Sequence, residues 1–186
     1  MKVDLADKLI DTALELAEVA HSVGIPFLLE HPEDLGATAN GIPASIWQLE
    51  KVRRLADATK AITGAFYQCQ ACLPGSKLAK PDYPKPTRFL GTMYGLDKMV
   101  FVGWPQIDDL GKYSGPLPSW CGHVHKRKLT ATPRTGENGG HFATTGTAAY
   151  PPAMCEWMAK SIFASAFKNK FSSASTPSGG GPFREA

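Results

Sequence analysis

The sequence predicts an α/β domain built on buried, mostly parallel strands, with a long irregular glycine- and proline-rich segment and a C-terminal helix. Three observations predict it. An amphipathic stretch, Asp4 to Val23, runs through Gly24 into the unbroken apolar run Ile25-Pro26-Phe27-Leu28-Leu29. That run stops abruptly at Glu30-His31-Pro32, and a turn-rich loop then leads to a second amphipathic stretch. From Gly103 to Gly146 glycine and proline are dense, and helical periodicity returns only after Tyr150-Pro151-Pro152. Helix, buried strand, loop and helix in succession is the α/β pattern.

Each element has a local reason. Leu5, Leu9, Ala13, Leu16 and Ala20 fall on one side of the first helix, with Asp7, Lys8, Asp11, Glu15 and Glu18 between them. Asp4 can cap its start and Gly24 can end it. A short continuous apolar run such as 25–29 reads as a strand covered on both faces. Ser45, with Gln48 three residues on, makes a capping box for the second helix, whose Ile46, Leu49, Val52 and Ala56 share a face. Ala65 to Cys69, Thr87 to Thr92 and Met99 to Val102 are further strand-like runs, with Thr87 to Gly91 expected in the same sheet as Glu30. A helix over 153–171 repeats Met154, Trp157/Met158, Ile162 and Phe163/Phe167, and its Met154/Trp157/Met158 stripe reads as core packing. The expected organisation is one domain over 1–171, irregular over 103–150, with a low-complexity, disordered tail over 172–186.

Composition bounds the function. No apolar run approaches the roughly 20 residues that span a bilayer, and the N-terminus lacks the apolar core of a signal peptide. Four cysteines, Cys69, Cys72, Cys121 and Cys155, are too few for a disulfide scaffold, so an intracellular protein with reduced thiols is expected. The net charge is +3, but residues 1–60 hold ten acidic and six basic groups, so the remainder carries +7. That excess, concentrated partly in His125-Lys126-Arg127-Lys128, fits nucleic acid as partner; the alternative is a solvated basic loop.

The first strand is expected to be central in the sheet and to end at Glu30, and chemistry is expected at that polar end. In open α/β sheets ligands bind outside the carboxyl ends of the strands, which puts Glu30 where a side chain meets a substrate. The competing reading has Glu30 and His31 beginning a solvated loop.

Leu28-Leu29-Glu30-His31-Pro32, a strand ending Tyr67-Gln68-Cys69, and Lys85-Pro86-Thr87-Arg88-Phe89-Leu90-Gly91 follow one another in an order that resembles the latter half of a cytosine-C5 DNA methyltransferase domain. The likeness is to the divergent type found in phages and mobile elements, and it covers roughly residues 1–105. It implies part of a doubly wound, Rossmann-like methyltransferase sheet, with Glu30 as the catalytic carboxyl that reads a flipped cytosine on its pairing edge. Lys85, Thr87 and Arg88 would contact the nucleic acid together with Lys126, Arg127 and Lys128. The chain departs from the family in three places. His31 stands where an asparagine is usual, no cysteine nucleophile precedes Glu30, and the glycine-rich cofactor turn is missing. A half-domain is therefore expected, inactive alone, binding nucleic acid weakly, and using S-adenosylmethionine only if a missing N-terminal half completes it.

A second reading is a zinc-stabilised nucleic-acid-binding module without catalytic activity. Cys69-x-x-Cys72 has ligand spacing, and Cys121, His123 and His125 add a thiol and two imidazoles at alternate positions. Asp108-Asp109 with Gly111 can bind a cation or, more simply, form a solvated turn. Trp104, Tyr113 and Trp120 can either stack on bases or pin the long segment to the core. No Gly-x-Ser-x-Gly elbow is present to support a serine hydrolase.

Overall fold

The computed structural model describes residues 2–33, 35, 45–71, 84–125 and 149–173. Helix α1, Lys2–Ser22, leads through Gly24 into strand β1, Leu28–Pro32. A 3-10 turn at Ile46–Gln48, capped by the Ser45 hydroxyl accepting from Trp47 N, precedes α2, Glu50–Thr59. Thus Ser45 caps a 3-10 turn rather than the second helix, and α2 begins at Glu50 after an N-cap, Leu49, without a side-chain bond. Strands β2, Ile62–Tyr67, and β3, Pro86–Gly91, follow; then come the short helix α3, Leu96–Met99, and strand β4, Phe101–Val102. A small hairpin of β5, Gln106–Ile107, and β6, Tyr113–Gly115, lies within the glycine- and proline-rich segment, and α4 spans Pro152–Ser173.

The main sheet has the order β1-β3-β2-β4, and every pairing in it is antiparallel. This corrects three expectations: the sheet is not mostly parallel, β1 is an edge strand rather than a central one, and β1 runs on to Pro32, so Glu30 is its middle residue and not its end. The cause lies in β3, which inserts between β1 and β2 and runs against both, so that β1 and β2 are parallel only to each other. The apolar run 25–29 reflects two covering layers, not two strand neighbours. Phe27, Leu29 and Leu90 face a core of Leu14, Ala17, Trp47, Val52 and Leu55 from α1, the 3-10 turn and α2. Leu28, Phe66 and Phe89 face Leu96, Val100, Met154, Trp157 and Met158 from α3, its flank and α4. The helix at 153–171 therefore packs as expected through its first turns, while Ile162, Phe163 and Phe167 further along are exposed.

β3 holds the centre because its side chains vanish: Phe89 and Leu90 are fully buried, and Phe89 stacks on Trp157. Gly91 is needed where β1 begins. A Cβ there would meet the carbonyl oxygen of Phe27 at 2.3 Å, far inside van der Waals contact. Among the described residues no helix is long and apolar enough to cross a membrane. The tail beyond 173 lies outside the described residues.

Candidate metal centre

β2 delivers Cys69. The strand ends at Tyr67 and turns through the 3-10 segment Gln68–Gln70, leaving the Cys69 thiol fully buried. Two glutamines fix this turn. Gln68 Nε2 donates to Thr87 Oγ1 at 3.0 Å, and Gln70 Nε2 donates to the Cys121 carbonyl at 3.1 Å. Tyr67 OH donates to the Pro118 carbonyl at 3.0 Å. Burial pushes the Tyr67 phenol above its usual range, and the Cys121 and Cys69 sulfurs beside it add to the shift. The strand end is thereby stapled to the segment that carries Cys121, over a small core of Ala65, Tyr67, Cys69, Leu117 and Cys121.

From Cys121 the chain turns at Gly122, whose φ of +81° is one that side-chain-bearing residues avoid. This turn folds Cys121, His123 and His125 onto Cys69. The four ligand atoms all lie within 4.8 Å of one another, and Cys121 Sγ is 3.2 Å from His125 Nε2. The two imidazoles stand perpendicular, their centroids 6.2 Å apart. Tetrahedral zinc, with bonds of about 2.0–2.3 Å, separates its ligand atoms by about 3.3–3.8 Å, so shifts of about 1 Å close the set. Two cysteines and two histidines can hold a metal ion here. Cys72, the fifth ligand expected from the sequence, lies outside the described residues. No disulfide joins the described cysteines Cys69, Cys121 and Cys155.

No protein-family model matches this chain, and no curated protein or solved structure does either. The site therefore rests on its own geometry.

Glu30 is the middle residue of β1, level with Phe89 and Gly64, on the face turned to α4. Its Oε2 accepts a hydrogen bond from Tyr150 OH at 2.9 Å, while Oε1 is shielded from solvent and has no hydrogen-bond partner among the described residues. Partial burial, together with this carboxylate, pushes the Tyr150 phenol up to about 12. The ammonium of Lys85 stands 5.9 Å from the Tyr150 ring centroid. His31 points to the opposite face, edge-on to Trp47, and burial lowers its pKa although Glu30 opposes the shift.

Arg88 and Thr87 do not reach a nucleic-acid surface. Both are fully buried, and the Arg88 guanidinium is committed to Glu33, Thr63 Oγ1 and the Gly103 carbonyl. Their strand is central and covered on both faces, which leaves outward charge no room. Lys126, Arg127 and Lys128 lie outside the described residues. Of the aromatic residues, Trp104 packs on the core beneath Arg53, and Tyr113 OH donates to Glu33 Oε1 at 2.7 Å. Trp120 is 65% exposed, its Nε1 donating to the His123 carbonyl at 3.3 Å. Asp108 closes a turn, Oδ1 accepting from Leu110 N and Lys112 N. Sequence reasoning missed three partners: Glu33 for Arg88, Tyr113 for Glu33, and Tyr150 for Glu30. They are separated by 55, 80 and 120 residues, and no local pattern signals such pairs.

Proposed function

We propose that this chain is a zinc-stabilised α/β module that binds nucleic acid. The observation that carries the reading is the convergence of Cys69, Cys121, His123 and His125 from two places some fifty residues apart. Soft thiolates and imidazoles in a four-membered set select zinc over hard cations. A metal there ties the end of β2 to the segment 121–125 and fixes the backbone from which Lys126-Arg127-Lys128 continues. Those residues belong to the part of the chain with a net charge of +7, and they supply phosphate contacts. The test is metal content with binding. Protein refolded with zinc should hold one ion per chain, and cobalt substitution should give the intense d–d bands of a tetrahedral thiolate site. Fluorescence anisotropy with a labelled oligonucleotide should show binding that weakens with salt and is lost on chelation. A metal-free protein that binds as well as the loaded one would refute the proposal.

A second reading is favoured by Glu30. A carboxylate oxygen shielded from solvent, with no hydrogen-bond partner among the described residues, is the kind of group that waits for a ligand hydrogen bond. β1 and β2, parallel to each other and joined through α2, fit a piece of a doubly wound sheet into which an antiparallel strand is set. On this reading the module is methyltransferase-like, Glu30 hydrogen-bonds a cytosine, and S-adenosylmethionine chemistry needs a cofactor turn supplied from elsewhere. An oligonucleotide with an unpaired cytosine should then bind more tightly than its fully paired form, and Glu30→Gln should remove that preference. Equal binding of the two oligonucleotides would leave Glu30 a structural partner of Tyr150.

A further inference from the structure

We infer, resting on the zinc reading proposed above, that the metal set is also a redox switch: hydrogen peroxide joins Cys69 and Cys121 in a disulfide, and the ion leaves. The two sulfurs belong to the four ligand atoms that lie within 4.8 Å of one another. A disulfide sets its sulfurs about 2.05 Å apart, so the pair has at most about 2.8 Å to close, shared between two side chains. The chain is already tied together around them. Tyr67 OH donates to the Pro118 carbonyl at 3.0 Å, and Gln70 Nε2 donates to the Cys121 carbonyl at 3.1 Å. Residues on both sides of Cys69 are thus bonded to the segment that brings Cys121. Cys155 is exposed on α4 and stands outside the set.

A metal keeps both sulfurs as thiolates, and the thiolate is the form that attacks peroxide. Cys121 is the outer of the two, since it sits between exposed Trp120 and Gly122, whereas Cys69 is fully buried at the end of β2. The Cys121 thiolate attacks one peroxide oxygen, the O–O bond breaks, and Cys121 becomes a sulfenic acid as hydroxide departs. The Cys69 thiolate then attacks the Cys121 sulfur, forming the S–S bond and expelling a second hydroxide. Two electrons pass from the sulfurs to the peroxide, and the two hydroxides take up solvent protons to give two waters. Zinc keeps its oxidation state throughout. The disulfide has lost both anionic ligands, and two neutral imidazoles, His123 and His125, do not hold the ion tightly by themselves.

Oxidation therefore splits the ligand set into halves with different fates. The cysteine half persists as a covalent link over the small core of Ala65, Tyr67 and Leu117, so the end of β2 stays fastened to Cys121. The histidine half is released. His123 and His125 lose the ion that held them, and Trp120, whose Nε1 donates to the His123 carbonyl, loses its fixed surroundings with them. The turn at 121–125 is freed while the sheet beneath it keeps its staple.

The zinc-loaded full chain is treated with hydrogen peroxide, released zinc is read with a chromogenic chelator, and the products are digested with trypsin without reduction for mass spectrometry. One zinc should be released per disulfide formed, and the peptides 61–77 and 113–126 should be found joined with the loss of two hydrogens. Peptide 61–77 also holds Cys72, so Cys72→Ser fixes the pairing: it should release zinc and link the peptides as the parent does. The oxidised chain should melt above the reduced, metal-free chain, and dithiothreitol with added zinc should restore the loaded form. Zinc retained after peroxide, zinc lost with only sulfinic or sulfonic acids formed, or a link that disappears in Cys72→Ser would overturn the switch and leave the zinc reading standing. A chain that holds no zinc before oxidation would overturn both.

Discussion

Arg88 and Glu33 form a two-pronged ion pair with neither side chain exposed: Nε to Oε2 and Nη2 to Oε1 are both 2.7 Å. The fork sits where β1 ends and where the segment after β4 crosses the sheet. Its remaining capacity is used in full view of three other elements. Arg88 Nη1 reaches Thr63 Oγ1 and the Gly103 carbonyl, and Glu33 Oε1 accepts from Tyr113 OH, which itself accepts from Leu117 N at 3.0 Å. Burial pushes the Tyr113 phenol far above its usual range, and the bond to Glu33 adds to the shift. The network therefore fastens β1, β2, β3 and β6 at one point.

Breaking this pair on one side should be severe. Arg88→Met leaves a buried carboxylate, and Glu33→Gln leaves a buried guanidinium with a weaker acceptor; about 3–5 kcal/mol is expected for the first and less for the second. Urea unfolding of the two single variants and the double Arg88→Met, Glu33→Leu measures it. The double should recover part of the loss, since no charge then remains buried. If Arg88→Met were neutral in stability yet weakened oligonucleotide binding, the residue would belong to an interface after all.

Gly91 tests the packing of β1 on β3. Gly91→Ala drives a Cβ against the Phe27 carbonyl and the Leu28 backbone, neither of which can rotate away. We expect a loss of at least about 1–3 kcal/mol in thermal or urea unfolding, the range for overpacking a rigid site. Gly95→Ala supplies the contrast. Nothing lies within 4 Å of a Cβ there, so its cost is limited to the strain of φ +79°.

Much of this fold was legible from local pattern. α1, α4 and the strands around Leu28, Phe66 and Leu90 follow from periodicity and apolar runs, because those signals are properties of neighbouring residues. Strand order was not legible. An apolar run records that two helical layers cover a strand, and it is silent about how many strands flank it or which way they run. The same limit divided the sites. Cys121, His123 and His125 announce themselves by spacing, and Cys69 by its thiol, but only the fold shows that they meet. Arg88 misled, since a basic residue near a strand end looks solvent-facing until the distant Glu33 is placed against it.

Metal removal should act locally first. Trp120 is exposed, and its Nε1 donates to the carbonyl of His123, so its fluorescence reports the turn that carries the ligands. Chelation should change that emission and lower the melting temperature, and acid should do the same, because thiolates and neutral imidazoles bind metal and their protonated forms do not. Cys69→Ser and Cys121→Ser should abolish tight zinc binding. Cys155→Ser should not, as that thiol is exposed on α4. Retention of stoichiometric zinc by Cys121→Ser would mean that Cys72 belongs to the ligand set.

His31 should make stability fall in mild acid. Burial against Trp47 lowers its pKa below 6.5, and the Glu30 charge offsets only part of this. A histidine that binds its proton less readily folded than unfolded contributes stability that is present above the unfolded pKa. That contribution is lost as pH falls from 6.5 toward the folded value. Melting temperatures measured without metal, to separate this effect from zinc release, should therefore decline between neutral pH and mild acid, and His31→Phe should flatten the decline. An unchanged slope in the variant would assign the pH dependence to other groups.

Nucleic-acid binding should follow charge rather than sequence. The residues beyond 60 carry +7, and only the basic run after His125 concentrates that charge. Alanine at Lys126, Arg127 and Lys128 together should weaken binding to every oligonucleotide alike and reduce the slope of log affinity against log salt by roughly two to three. Arg88→Met should leave that slope unchanged, because its guanidinium is buried on Glu33 and neutralises no phosphate. Glu30→Gln should also spare the slope, since a carboxylate releases no counterions; its effect, if Glu30 reads a base, is confined to oligonucleotides with an unpaired cytosine. Anisotropy titrations at two salt concentrations separate the three variants. A triple alanine chain that binds as tightly as the parent, with the same salt slope, would move the nucleic-acid surface elsewhere or remove it.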